Sequence, residues 1–184
     1  KNCILTGEAT SIDLIEGFKD WMPNAKIYNF YGPTECTIYC SSYSCQQAML
    51  KHHNGMVNIG KPLLHCEMLI LNEQLIEAKP NEKGELYIHC PQLTYGYLND
   101  EEKNTNAFVN ISPNFKKKYY RSGDLCYKDE DGDIFYCGRN DNQIKINALI
   151  KDMEKSNKQW HCFLLFIGFI LGTFFGTAIM IIVK

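Results

Sequence analysis

The pair Gly32-Pro33 cuts off the apolar run from Lys26 to Phe30. Proline has no N–H to offer a sheet and glycine favours turns, so a strand that reaches this point must stop. Upstream, Cys3-Ile4-Leu5 is another short apolar run, closed by Thr6-Gly7-Glu8, and it reads as the end of a buried strand. Between the two runs, Ile12, Leu14, Ile15, Phe18 and Trp21 recur at near-helical spacing. Ser11 stands where an N-cap belongs, and Pro23-Asn24 closes the element. Strand, helix, strand and then a forced polar turn is how open α/β sheets place ligand sites at the C-terminal ends of their strands. That turn presents Thr34 and Glu35.

From about residue 57 the texture changes. Glu67 to Leu71, Gly84 to Cys90 and Asp133 to Cys137 alternate or are β-branched and aromatic. Turn signals separate them: Asn72-Glu73, Pro80-Asn81-Glu82-Lys83-Gly84 and Asp129-Glu130-Asp131-Gly132-Asp133. This predicts a small, mainly antiparallel β subdomain. The lysines of Lys116-Lys117-Lys118 read as a solvated turn. The expected organisation is the end of an α/β subdomain over 1–56, a β-rich subdomain over 57–140, a hinge remnant and linker over 141–159, and an apolar segment over 160–184.

A net charge of −2 gives no support for a nucleic-acid binder driven by phosphate attraction. The nine cysteines are odd in number, show no CxxC and follow no signal-peptide pattern, which points to reduced thiols in a cytosol-like compartment. Cys36, Cys40 and Cys45 lie close in sequence, but no further ligand has zinc-like spacing, and they are expected to be structural thiols.

Phe163 to Val183 is 21 residues without a formal charge. As a helix it would reach ~31 Å, about the thickness of a bilayer core. Trp160 stands at its start, and Lys151, Lys155 and Lys158 precede it while only Lys184 follows. The expectation is a single-pass C-terminal anchor with the body on the cytoplasmic side, or a cytoplasmic protein if the tail is not genuine. Gly168, Gly172 and Gly176 fall four apart, a pattern compatible with close helix pairing and a dimer, though glycine is also simply common in membrane helices.

Four motifs carry polar chemistry. They are Asn29-Phe30-Tyr31-Gly32-Pro33-Thr34-Glu35; Gly84-Glu85-Leu86-Tyr87-Ile88 with Gly96-Tyr97-Leu98; Tyr120-Arg121-Ser122-Gly123-Asp124-Leu125; and Gly138-Arg139-Asn140-Asp141-Asn142-Gln143-Ile144-Lys145-Ile146. A hydroxyl beside a carboxylate, as at Thr34 and Glu35, can hold a phosphate oxygen and the Mg²⁺ that accompanies it. Tyr31 offers a flat face for a base. Asp124, in a Ser-Gly-Asp turn, can accept from two vicinal hydroxyls, as acidic residues do on a ribose. Arg139 can neutralise phosphate or bond a hydroxyl in a fixed fork.

In this order the motifs resemble the adenylate-forming superfamily: adenylation domains of nonribosomal peptide synthetases, D-alanine-activating ligases, acyl-CoA synthetases and luciferases. The resemblance covers residues 1–147, and the full Tyr-Gly-Pro-Thr-Glu with Asn29 ahead of it is most similar to the amino-acid-activating branch. It implies the C-terminal part of that family's large α/β domain. It also implies ATP and Mg²⁺, a small-molecule carboxylate or amino acid, and CoA or a phosphopantetheinyl carrier protein as acyl acceptor.

By the same resemblance, Gly7, Glu8 and Ala9 form a small loop against the adenine, Asn29 contacts the adenine amino group and Tyr31 stacks on the ring, with Phe30 and Gly32 beside it. Thr34 binds the α-phosphate, Glu35 the Mg²⁺, and Asp124 the ribose hydroxyls with Arg139 alongside. Asp141 matches the hinge of the small C-terminal domain. Ile4, Thr6, Phe30 and Ile38 match positions lining the carboxylate pocket, where bulky Phe30 implies a small or differently placed substrate side chain. The reaction implied is attack of the carboxylate on the α-phosphate of Mg·ATP, release of pyrophosphate, then transfer of the acyl group to a thiol.

The family's upstream glycine-rich phosphate loop has no counterpart in this sequence. After Asn147, Ala148 to Asp152 replace the strand that leads into the small domain and its lysine. The chain is therefore expected to be a fragment or mis-spliced piece of a longer ligase, inactive without the remaining parts. The alternatives are a membrane-anchored nucleotide-binding or scaffold remnant, and a piece completed by another chain.

Overall fold

The computed structural model describes residues 1–111, 117–140 and the backbone of 181–183. Strand β1 (Asn2–Leu5), helix α1 (Ile12–Trp21) and strand β2 (Lys26–Tyr31) follow the order read from the sequence. β1 and β2 pair in parallel, Cys3 opposite Ile27 and Leu5 opposite Asn29. Ser11 caps α1, its hydroxyl accepting from the Leu14 N–H at 3.2 Å. Ile12, Ile15, Phe18 and Met22 turn one helix face onto Cys3, Leu5 and Ile27. Ile15 is fully buried there, a contribution of roughly 1.5–3 kcal/mol. Leu14 and Trp21, counted in the apolar spacing, lie on the outer face at 40% and 66% exposure. The stripe that meets the sheet runs through Met22 instead.

β2 continues into an antiparallel partner, β3 (Ser41–Ser44), and β3 into β6 (Lys61–Pro62). The first sheet thus reaches past residue 57, where the texture of the sequence changes, because β3 finds its next partner there. Between them a two-residue hairpin joins β4 (His52–His53) to β5 (Met56–Val57). The second sheet is antiparallel, in the order β11 (Ile134–Arg139), β10 (Tyr119–Lys128), β8 (Gly84–His89) and β7 (Glu67–Leu71). Helix α2 (Glu101–Ala107) leads into β9 (Phe108–Val109), which also pairs with β10.

A backbone bridge between Gly60 and Ile134 ties the two sheets. Ile59 donates its N–H to the Ile134 carbonyl at 2.9 Å, and Ile134 donates back to the Gly60 carbonyl at 2.9 Å. Gly60 takes φ +75°, and a Cβ here would stand 1.8 Å from the Ser42 carbonyl oxygen. Beside this seam, Lys51 places its ammonium 2.7–2.8 Å from carboxylates of Asp129, Asp131 and Asp133.

The hinge residue Asp141, the linker, Trp160 and the glycines Gly168, Gly172 and Gly176 lie outside the described residues, so the helix-pair reading has no structural account. The last three residues of the expected span are strand rather than helix. Ile181–Val183 forms β12, antiparallel to β1. All three are β-branched, which favours extended backbone, and the β1 edge supplies the hydrogen bonds. Among the described residues no helix is long and apolar enough to cross a membrane. The eight cysteines among the described residues are free thiols, and Cys45 belongs to a different core from Cys36 and Cys40.

Gly60→Ala will be destabilising by about 2–4 kcal/mol, since the new methyl meets backbone atoms that cannot swing away. The midpoint of urea unfolding measures it. A surface glycine such as Gly55, with nothing within 4 Å of its missing Cβ, will lose less on the same substitution.

Candidate functional site

The forced turn after β2 builds one wall of a cavity of about 360 Å³. The chain passes from Tyr31 through Gly32 into a single 3-10 turn, Thr34–Cys36, and folds back so that Cys40 donates its N–H to the Tyr31 carbonyl at 2.8 Å. Only glycine fits at 32: a Cβ would stand 2.5 Å from the Ile38 carbonyl oxygen and 2.5 Å from Tyr39 Cα. The return uses left-handed backbone at Thr37 (φ 50°) and Ile38 (φ 76°). A β-branched residue is strained in that region, and conformations of this kind cost on the order of 1–3 kcal/mol. The outcome is a raised lip carrying exposed Thr34 and half-buried Glu35.

The opposite wall comes from β10. Its pairing slips twice, between Arg121 and Leu125 against β8 and between Leu125 and Cys126 against β11. Such irregularities re-aim side chains. Ser122 fixes the turn, its hydroxyl donating to the Leu86 carbonyl at 2.7 Å and accepting from the Asp124 N–H at 3.1 Å. Asp124, 5% exposed, stands opposite Arg139 on β11. The Arg139 guanidinium donates to Asp124 Oδ1 at 3.0 Å, and the Tyr31 hydroxyl donates to Asp124 Oδ2. The two walls therefore meet through one carboxylate.

Asn29, 3% exposed, is held at both ends: its Oδ1 accepts from the Thr10 hydroxyl at 2.9 Å and its Nδ2 donates to the Asn58 carbonyl at 2.9 Å. Every residue that the sequence motifs assign to nucleotide contact lines this cavity: Gly7, Glu8, Ala9, Asn29, Phe30, Tyr31, Gly32, Thr34, Asp124 and Arg139, with Glu35 beside them. Ile4, Thr6 and Ile38 do not. Ile4 is half-buried and Thr6 buried in and just beyond β1, while Ile38 is 58% exposed. Of the expected substrate positions, Phe30 alone reaches the cavity, and Tyr39 packs edge-on against it at 4.9 Å.

Met56, Val57, Ile59, Tyr120 and Tyr136 also line the cavity, and sequence reasoning missed them. Asn54-Gly55 was the signal for the first two. It is a two-residue hairpin marker, and both residues take positive φ. The hairpin brings Val57 onto Thr10 through an N–H to carbonyl bond of 2.8 Å, next to the Gly7–Ala9 loop. The Asp129, Asp131 and Asp133 trio has oxygens close enough to hold a cation, and the Lys51 ammonium sits among them. The three carboxylates raise the Lys51 pKa, so the ion pair is an electrostatic tie between the two sheets.

Three phenols around the site are held protonated. Burial, then the Asp124 carboxylate, raises Tyr31 well above its usual value. Burial, then Glu35, pushes Tyr97 up to about 12 and also raises Tyr120. An unfolded tyrosine ionises near pH ~10, so above that pH the unfolded chain releases protons that the folded chain keeps. The stability due to these groups is complete below about pH 10 and declines as pH climbs toward their folded values. Unfolding midpoints at pH 8, 10 and 11 will show that decline, and Tyr31→Phe will show a shallower one.

Residues 1–98, more than half of the chain, match the family model described as AMP-binding enzyme. The aldehyde reductase lnaA of Aspergillus flavus is 33% identical over 153 residues, covering 83% of this chain and 14% of its own length. The D-alanine--D-alanyl carrier protein ligase of Lacticaseibacillus casei is 36% identical over 146 residues, covering 79% of this chain and 27% of its own. The crystal structure of the Vibrio cholerae adenylation domain AlmE in complex with glycyl-adenosine-5'-phosphate superposes with a TM-score of 0.65 and 31% identity. It covers 79% of this chain and 27% of its own. The chain thus spans well under a third of these three proteins.

Proposed function

The chain belongs to the AMP-binding enzyme family, and on that footing we propose that it supplies the nucleotide-holding part of an ATP-dependent carboxylate-adenylating domain, with an amino acid as the preferred class of carboxylate. The observation that carries this reading is the convergence of three of the four motifs and the Gly7–Ala9 loop, far apart in sequence, on one cavity whose walls are joined by Asp124.

Asp124 accepts from the two ribose hydroxyls with the oxygens that Tyr31 and Arg139 hold in place. The Tyr31 ring, fixed by its own hydroxyl, gives the adenine a flat face; Met56, Val57 and Ile59 supply the apolar surround. Asn29 Oδ1 keeps one lone pair for the adenine amino group after serving Thr10. At the lip, the exposed Thr34 hydroxyl donates to an α-phosphate oxygen. The half-buried Glu35 carboxylate is the donor group there suited to a hard divalent cation. Mg²⁺, when bound with the nucleotide, neutralises phosphate charge.

The chemistry is a displacement at phosphorus. A carboxylate oxygen forms a bond to the α-phosphorus, the bond to the bridging oxygen breaks, and pyrophosphate leaves. In the second step a sulfur that has given up its proton to solvent bonds the acyl carbon, the bond from that carbon to the phosphate oxygen breaks, and AMP leaves. Such transfers depend on positioning and charge stabilisation more than on covalent help from side chains. The acceptor proposed is the thiol of a phosphopantetheinyl carrier, consistent with the carrier protein ligase among the relatives. Turnover is proposed for this part together with the rest of a complete domain.

AMP titrated into the full chain, followed by calorimetry, tests the nucleotide reading. Asp124→Ala removes two charged hydrogen bonds to the ribose and will weaken binding by about 10- to 100-fold. Equal affinity of the two proteins, or no binding by either, overturns the reading.

A further inference from the structure

Gly96-Tyr97-Leu98 stands out in the sequence, yet the nucleotide reading gives it no task. In the fold, the Tyr97 hydroxyl donates to Glu35 Oε1. Tyr120, 9% exposed, presents its own hydroxyl to both Tyr97 and Glu35. One Glu35 oxygen is thereby occupied by a phenol, and Thr94 N–H holds the Glu35 backbone carbonyl at 2.8 Å.

Tyr97 is itself held by Asn104, Phe108 and Lys103. Asn104, on α2, accepts from the Tyr97 N–H at 2.6 Å and donates to the Tyr97 carbonyl at 2.8 Å, gripping the backbone from both directions. Phe108 packs against the ring at 5.6 Å and in turn against Tyr120 at 5.5 Å. The Lys103 ammonium stands 4.1 Å from the centre of the Tyr97 ring. Asp100 caps α2 by accepting from the Lys103 N–H at 3.0 Å, so the helix that carries Asn104 and Lys103 starts at a fixed place. A mere packing tyrosine would need none of this; its hydroxyl could face solvent.

We propose that Tyr97, clamped by Asn104, is a positioning residue that fixes the Glu35 carboxylate so that its other oxygen meets the divalent cation carried by the nucleotide. The proposal rests on the reading of Glu35 given above. A carboxylate on a flexible stem loses rotational freedom when it binds an ion. Hydrogen-bonding one oxygen beforehand removes part of that cost, and partners that orient a metal ligand typically account for about 10- to 100-fold in metal affinity.

The full chain is titrated with Mn²⁺ in the presence of ATP, the free ion being read from its paramagnetic resonance signal. AMP affinity without metal is measured in parallel. Tyr97→Phe keeps the ring, its aromatic packing and its cation contact, and removes only the hydroxyl. It is expected to weaken Mn²⁺ binding about tenfold while metal-free AMP affinity stays within about twofold. Glu35→Gln is expected to weaken Mn²⁺ at least as much, and the double variant no further, because the phenol acts only through the carboxylate. If Glu35→Gln weakens Mn²⁺ and Tyr97→Phe does not, the positioning role is overturned and the reading of Glu35 stands. If Tyr97→Phe lowers metal-free AMP affinity as much as Mn²⁺ affinity, the residue supports the pocket generally and the role is likewise overturned. If Glu35→Gln leaves Mn²⁺ binding unchanged, the metal reading of Glu35 falls and takes the proposal with it.

Discussion

The exchange of backbone hydrogen bonds between the Ile59–Gly60 segment and Ile134 is the constraint on which the rest of this structure depends. Each sheet can form its own ladders, but neither alone has a site. The β2 sheet brings the ring of Tyr31 and the lip of Thr34 and Glu35. The β10 sheet brings Asp124, Arg139 and Tyr120. The seam sets the distance between them, and the glycine at 60 lets the chain run hard against Ser42 there. Lys51 reinforces the same junction from one side by drawing three carboxylates onto one ammonium.

Across that junction polar contacts add to an apolar core that both sheets share, in which Cys36, Cys40 and Ile59 pack with Leu86, Ile88, Cys126 and Ile134. Asp124 serves as the common acceptor for Tyr31 and Arg139, and Glu35 receives Tyr97 with Tyr120 alongside. Both carboxylates have a phenol as neighbour, and burial holds each phenol in its donating form. A low local dielectric strengthens these bonds and would make an unpaired carboxylate costly, so the donors and acceptors are tied to each other's presence. The strained return at Thr37 and Ile38 fits the same picture, with local backbone cost accepted to raise the lip that carries Glu35.

Much of this was legible in the sequence, and the reasons are specific. Gly32-Pro33 could only be a stop, Ser11 could only help a helix begin, and the alternating run Glu67 to Leu71 could only sit at a sheet. These are local signals, and they place β1, α1, β2 and β7 close to where they lie. Three of the four motifs meet at one cavity because each contains a turn or bulge whose residue types restrict its backbone. Asn54-Gly55 marks the hairpin that carries Met56, but nothing near it in sequence says which loop that hairpin will meet. The role of Tyr97 escaped for the same reason: a phenol's partner 62 positions away is a property of the fold. The outer placement of Leu14 and Trp21 shows the limit of apolar periodicity, which marks a stripe but not which residues of it face the sheet. Ile181–Val183 shows another, because an uncharged run long enough to span a bilayer also contains β-branched residues ready to join a free edge.

The tie between Tyr31 and Asp124 joins residues 93 positions apart. Read along the direction of synthesis, this gives the site a birth order. When the first sheet leaves the ribosome, Tyr31 has a ring to offer but no acceptor for its hydroxyl, and Thr34 and Glu35 stand on a lip without a facing wall. The wall arrives with β10, and its arginine only with the last residue of β11. Contacts of such long range close slowly, because the intervening chain must first be gathered in. A nascent chain therefore reaches Arg139 before it has a complete cavity, and the two walls face each other only once the second sheet has docked.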